Sequence, residues 1–263
     1  MEGLNKDNYY SAEMNKKYCS CSQLKSFEKC EAETMAELNG QYTREPSDSM
    51  LLGSYVDCKL LTPEDFPNFL EMHPELFTNK GKLYSKYENG NAMIERCLKD
   101  RVFMNSLKGD HQTIFTGDIF GVPFKVKLDV FNDGKYITDL KTTSDINREE
   151  YDKEERKYIG FAQYYKYDLQ AAIYQEVVFQ KTGKRLPFFL SVVSNQKHPR
   201  LRIFEVDQDS MDNALENARD LICRVAELKS GNEQPIRCEK CDYCADTEVL
   251  TGAVDWLGRE WGD

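Results

Sequence analysis

Histidine is scarce in this chain, with only His73, His111 and His198 among 263 residues. The three stand far apart, without ligand spacing, and read as structural or exposed, so the sequence offers no histidine-built metal centre. Also missing is any apolar run near the roughly 20 residues that a membrane-spanning helix requires. The first ten residues (MEGLNKDNYY) hold no apolar signal core, and the expectation is a cytoplasmic protein without a membrane partner. A surplus of positive charge is absent as well: 35 Lys and Arg face 45 Asp and Glu, for a net charge of −10. That balance argues against a protein that coats nucleic acid non-specifically, which needs cations to displace counterions. It does not exclude a nucleic-acid enzyme, whose basic residues need only be local and whose acidic residues can hold metal.

Enough apolar residues are present, 40% of the total with 12% aromatic, for a folded core rather than a disordered chain. No repeat or flexible linker divides the sequence. A single domain is expected over 1–263, comprising an N-terminal arm (1–46), a core (50–206) and a C-terminal helix with a cysteine-containing tail (207–263). In a reducing cytosol the nine cysteines favour metal binding or buried thiols over disulfides.

The spacing of Leu24, Phe27, Cys30 and Met35 predicts a helix over 20–39 that Ser22 could cap. Residues 50–61 read as a helix in which Gly53 permits close approach to a neighbour, and 90–107 as another helix. From 111 the period changes to two. Residues 112–120, 122–131 and 135–141 read as a three-stranded meander, with turns at Gly121-Val122-Pro123 and Asn132-Asp133-Gly134. A solvated loop or helix start is expected over 145–157 and a long helix over 158–182. Strands over 186–195 and 201–206 and a helix over 208–229 follow. The fold class is therefore α/β (α+β), a mixed sheet flanked by helices.

Acid-x-Lys triplets occur five times, at Asp57, Asp133, Asp139, Glu155 and Glu227. Only Asp139-Leu140-Lys141 ends a strand, where alternation sets Asp139 and Lys141 on one face. The strand before it carries Asp129 near the end of its apolar run, and the hairpin lets the two carboxylates approach. With the Leu140 carbonyl, they could hold Mg²⁺ or Mn²⁺ in an oxygen shell. Such a cation would polarise a scissile phosphate, while Lys141 orients or deprotonates the attacking water. A surface hairpin with ordinary salt bridges is the plain alternative.

The runs Gly121 to Asp129 and Ile137 to Thr142 resemble the core of PD-(D/E)xK nucleases, in particular phage and bacterial exonucleases of the exonuclease VIII (RecE) type and the RecB nuclease domain. Gly53-Ser54-Tyr55-Val56-Asp57 stands where these enzymes carry Gly-x-x-x-His. Gln170-Ala171-Ala172-Ile173-Tyr174 matches their Gln-x-x-x-Tyr, and the motifs arrive in the family's order over about 50–174. The resemblance implies a restriction-endonuclease-like fold, with Asp129 and Asp139 as metal ligands and Lys141 as the catalytic lysine. Gln170 and Tyr174 would contact the DNA backbone or support the site. Asp57 replaces the family's metal-binding histidine and would serve as an oxygen ligand.

Cys238, Cys241 and Cys244 lie close enough in sequence to face one metal or cluster. The arrangement is similar to AddB-type and CRISPR-adaptation nucleases, which close their nuclease domain with a [4Fe–4S] cluster using one upstream cysteine. By that likeness Cys30 would be the fourth ligand, with Cys19 and Cys21 as rivals. Zinc and free thiols remain alternatives.

The family likeness implies an exonuclease on linear double-stranded DNA ends, working 5′ to 3′ beside a RecT-like single-strand annealing protein, and as a homo-oligomer. An end-trimming or single-strand nuclease and an inactive DNA-binding module are the other readings. A zinc-ribbon interaction protein would leave the pattern over 112–174 unexplained.

Overall fold

The computed structural model describes residues 3–152, 156–250 and 252. In chain order these form α1 (Ala12–Lys17), α2 (Cys21–Lys29), α3 (Glu31–Leu38), α4 (Asp48–Leu61), α5 (Phe66–Met72), α6 (Ser85–Leu98) and α7 (Arg101–Ser106). The strands β1 (Asp110–Ile119), β2 (Val122–Asn132) and β3 (Tyr136–Thr143) come next, then β4 (Glu149–Asp152), β5 (Lys157–Gly160), α8 (Phe161–Tyr164) and α9 (Tyr167–Thr182). Then come β6 (Phe188–Ser194), β7 (Leu201–Val206), α10 (Gln208–Asn217), α11 (Arg219–Ser230) and α12 (Asp242–Asp246).

Five strands make one mixed sheet in the order β1-β2-β3-β6-β7. The β1–β2 turn is tight because Phe120 and Gly121 both take positive φ, 53° and 82°, and Ile119 pairs with Val122. Two left-handed residues in a two-residue loop match the strand twist. Pro123 therefore sits inside β2, not in the turn. Gly134, at φ 74°, closes the second hairpin between Asn132 and Tyr136. β3 then pairs parallel with β6, a register that requires the crossover through α9.

Apolar clusters cover both faces. One joins α9, α10, α11 and α2 to Phe124, Val126 and Leu128 of β2. The other joins α4, α6 and α7 to Val130, Leu140 and Val193. Because β2 supplies Leu128 to one cluster and Val130 to the other, its facing changes at Asp129.

Several predicted helices are shorter than their sequence periods. The one over 20–39 breaks at Cys30, whose extended backbone ends α2 while its sulfur accepts the Glu33 N–H at 3.4 Å. Its cap is Ser20 rather than Ser22, with the hydroxyl accepting the Gln23 N–H. The helix over 90–107 begins earlier and is interrupted where Asp100 caps α7. The helix over 208–229 breaks at Ala218. Of the stretch 145–157, residues 145–148 form the expected loop, but Glu149–Asp152 and Lys157 belong to the β4–β5 hairpin, with 153–155 outside the described residues. Residues 158–160 belong to β5, and the rest of the long helix splits into α8 and α9 at Lys166, which adopts φ 52°. Apolar periodicity cannot register such breaks, because both halves present the same face to one core.

The N-terminal arm is woven into the sheet. Cys19 donates its N–H to the Pro123 carbonyl at 2.8 Å and accepts the Lys125 N–H at 2.9 Å, a short parallel bridge beside β2. Leu24 and Phe27 are fully buried in the first cluster. Phe27→Ala should therefore cost about 3–5 kcal/mol of stability in chemical unfolding. A loss below about 1 kcal/mol would mean that the arm is only appended.

Candidate active site

The sheet opens where the chemistry is. β2 and β3 pair from Asn132–Tyr136 through Val130–Thr138, and the ladder stops there. The next two facing residues are Asp129 and Asp139. In place of a ladder bond, the Leu140 N–H donates to Asp129 Oδ2 at 2.9 Å. A residue's N–H and C=O point to the same edge of an extended strand, so the Leu140 carbonyl faces the same gap. One carboxylate thus bridges the split strands.

Alternation along β3 places Asp139 and Lys141 together, and the Lys141 ammonium lies 2.5 Å from Asp139 Oδ2. From α9, Gln170 donates its side-chain N–H to the other oxygen, Asp139 Oδ1, at 2.8 Å. Tyr174, one turn later on the same helix face, lines the same cleft of about 280 Å³. Asp57 reaches it from α4. A Cβ on Gly53 would lie 3.2 Å from Thr142 Oγ1, so the glycine brings α4 against β3 and Asp57 follows one turn later. Asp57 Oδ1 is buried and has no hydrogen-bond partner among the described residues. Asp57, Asp129, Asp139, Lys141, Gln170 and Tyr174, all singled out by sequence, thus share one cleft.

Crowding shows in the protonation of the acids. Burial, reinforced by the Asp139 charge, pushes Asp129 up to about 7. Burial and then the Asp129 charge lift Asp57 well above the ordinary carboxylate range. Burial alone would lower Lys141, but Asp139 and Asp129 outweigh it and hold the amine protonated. A buried, partnerless oxygen beside carboxylates that resist ionisation is the donor chemistry of a hard divalent cation, whose charge would relieve both penalties. Asp57, Asp129, Asp139 and the Leu140 carbonyl fit such an ion in donor type.

The structure also adds residues that sequence reasoning missed. Gln112 donates to Asp129 Oδ1 at 3.3 Å from a left-handed backbone, φ 55°. Counting the β1–β2 register back from the Ile119–Val122 turn sets Gln112 opposite Asp129, so the signal was present. Tyr9, Tyr10 and Lys25 come from the arm and rim the cleft beside Lys127. Lys127 lies 4.6 Å from the Tyr10 ring centre and Lys141 lies 5.1 Å from that of Tyr167. Nothing in the local pattern of the arm marks it as part of a site. Elsewhere, Cys30 Sγ lies 3.7 Å from Cys244 Sγ, whereas Cys19 and Cys21 pack in the sheet core. His73 pairs with Glu75 and His111 with the Leu107 carbonyl, both outside the cleft.

A mixed sheet covered by helices, with two carboxylates and a lysine at the parting of adjacent strands, defines the PD-(D/E)xK nuclease class. The chain belongs to the family described as PDDEXK-like domain of unknown function (DUF3799), which it matches over residues 20–247. It is also similar to a solved structure from Eubacterium rectale provisionally described as an exonuclease, at 36% identity over 97% of each chain and a TM-score of 0.93. No curated protein matches it.

The raised acid at Asp129 has a measurable consequence without added metal. Between the ordinary aspartate value and about 7, the folded chain holds a proton there that the unfolded chain has lost. This group's contribution to stability therefore falls as pH rises through that window. Asp129→Asn, which cannot ionise but can still accept the Leu140 N–H, should gain thermal stability over wild type in chelator at pH 8 relative to pH 5. An unchanged difference between the two pH values would contradict the assignment.

Proposed function

We propose that the protein is a Mg²⁺- or Mn²⁺-dependent deoxyribonuclease that degrades linear double-stranded DNA from its ends. The observation that carries this reading is the convergence of Asp129, Asp139, Lys141 and Gln170 in one cleft, with the Leu140 carbonyl facing it. Asp57, Asp129, Asp139 and that carbonyl would hold the cation, which would supply Lewis acidity toward the scissile phosphate and lower the pKa of the attacking water. Lys141, held by its ion pair with Asp139, stands ready to orient the attacking water and offset the charge gathering on the phosphorus oxygens. Gln170 fixes the Asp139 carboxylate through Oδ1 and leaves Oδ2 toward Lys141. Tyr174 offers its hydroxyl to a phosphate. Lys25 and Lys127 provide local positive charge that the net balance conceals.

Polarity from 5′ to 3′, a single-strand annealing partner and a homo-oligomer follow from the likeness to exonuclease VIII-type enzymes, and we retain them as parts of the proposal. A cytoplasmic location belongs with them; among the described residues no helix is long and apolar enough to cross a membrane. A second reading, trimming of single-stranded ends, draws support from Tyr10. Its exposed ring at the rim offers a stacking face for an unpaired base.

The test is degradation of linear duplexes labelled at the 5′ or 3′ end, with single strands in parallel. With Mg²⁺ or Mn²⁺ the wild type should release labelled product, and Asp129→Ala and Lys141→Ala should each slow it by about 100-fold or more. Folded wild type and variants that are equally inert with both metals would refute the proposal and leave a DNA-binding module. Preference for single strands would favour the second reading.

A further inference from the structure

Far from the cleft, the arm and the tail meet through sulfur. Cys30 stands at the α2–α3 break, while Cys238 lies in the segment before α12, Cys241 is the N-cap of that helix and Cys244 lies within it. The four sulfurs all lie within 4.8 Å of one another, with 3.7 Å between Cys30 and Cys244 and 3.9 Å between Cys238 and Cys244. These separations are well beyond the about 2.05 Å of a disulfide bond, and all four thiols are free.

The spacing discriminates between metals. Four thiolates at about 2.3 Å from one tetrahedral Zn²⁺ are separated by about 3.8 Å. A four-iron cluster takes each thiolate on a different iron corner, which spreads the sulfurs to about 6 Å. The cluster implied by the likeness to AddB-type nucleases does not fit these four positions. The backbone agrees with a single ion. The N–H groups of Lys240 and Cys241 both point at the Cys238 sulfur, and the N–H of Cys244 points at Cys241. Glu239 makes the turn between them at φ 54°, and Cys30 receives the Glu33 N–H. Such N–H···S bonds offset the negative charge of a tetrathiolate.

Energetics point the same way. α12 has five residues, too few to hold helical form alone. Among the described residues, the apolar cluster beneath it holds Ala32 and Tyr243 besides the four cysteines. We propose that Cys30, Cys238, Cys241 and Cys244 bind one Zn²⁺ in a tetrahedral tetrathiolate site that staples the C-terminal tail to α3. The bidentate pair of Arg224 with Glu31, at 3.0 and 2.9 Å, reinforces the same junction from α11.

The full chain, purified anaerobically without added metal, should contain about one zinc per molecule, little iron and no brown visible band. Replacing zinc with Co²⁺ should give the intense visible bands of a tetrahedral thiolate complex. Cys238→Ser should lose the zinc and melt at lower temperature, whereas Cys223→Ser, at an exposed thiol outside the group, should keep it. About four irons per chain, no bound metal, or zinc retained in full by Cys238→Ser would each overturn the proposal. If Cys238→Ser does not fold, the metal content and Co²⁺ spectrum of wild type and Cys223→Ser decide.

Discussion

The bond from the Leu140 N–H to Asp129 Oδ2 holds the candidate site open. Adjacent antiparallel strands normally satisfy each other's backbone, and a strand that parts from its neighbour inside a sheet leaves buried donors exposed to cost. Here a carboxylate takes over one donor at the first unpaired position. The substitution lets β2 and β3 diverge without an orphaned N–H, turns the Leu140 carbonyl into the gap and orients Asp129. The facing change of β2 between Leu128 and Val130 and the left-handed backbone of Gln112 opposite it belong to the same local departure from a regular ladder. Strain of this kind persists only where the surrounding packing enforces it, and both faces of the sheet are covered here.

Around that opening the charges are mutually dependent. Asp139 is held on one oxygen by Gln170 and on the other by Lys141, and Asp57 carries a buried oxygen that no donor among the described residues satisfies. Acids gathered this way oppose one another's ionisation, which destabilises the metal-free fold and favours cation binding. The same logic explains how a chain of net charge −10 can face a polyanion. Its negative charge near the cleft is of the kind that a cation neutralises, and Lys25, Lys127 and Lys141 gather at the same place.

The sheet and the acidic set were largely legible in the sequence because period-two alternation and tight turns are local signals. Asp139 and Lys141 share a face for that reason alone, and the Gly53–Asp57 spacing follows from one helical turn. What was not legible depended on tertiary context. The breaks at Cys30, Ala218 and Lys166 leave the apolar period intact, so the long helices looked continuous. The hairpin over 149–160 is short and rich in charge, with little hydrophobic pattern to announce it. Tyr9 and Tyr10 join the cleft only because the arm bridges to β2 through Cys19, a pairing more than a hundred residues apart in sequence. The choice of Cys30 over Cys19 and Cys21 as neighbour of the tail likewise required the fold.

The most direct test is crystallographic. A crystal grown with Mn²⁺ should show an anomalous peak bound by Asp129, Asp139 and the Leu140 carbonyl, with Asp57 at or near its coordination shell. A cleft without such a peak at saturating Mn²⁺, with Lys141 still paired to Asp139, would contradict the claim that the split between β2 and β3 is built to hold a catalytic cation.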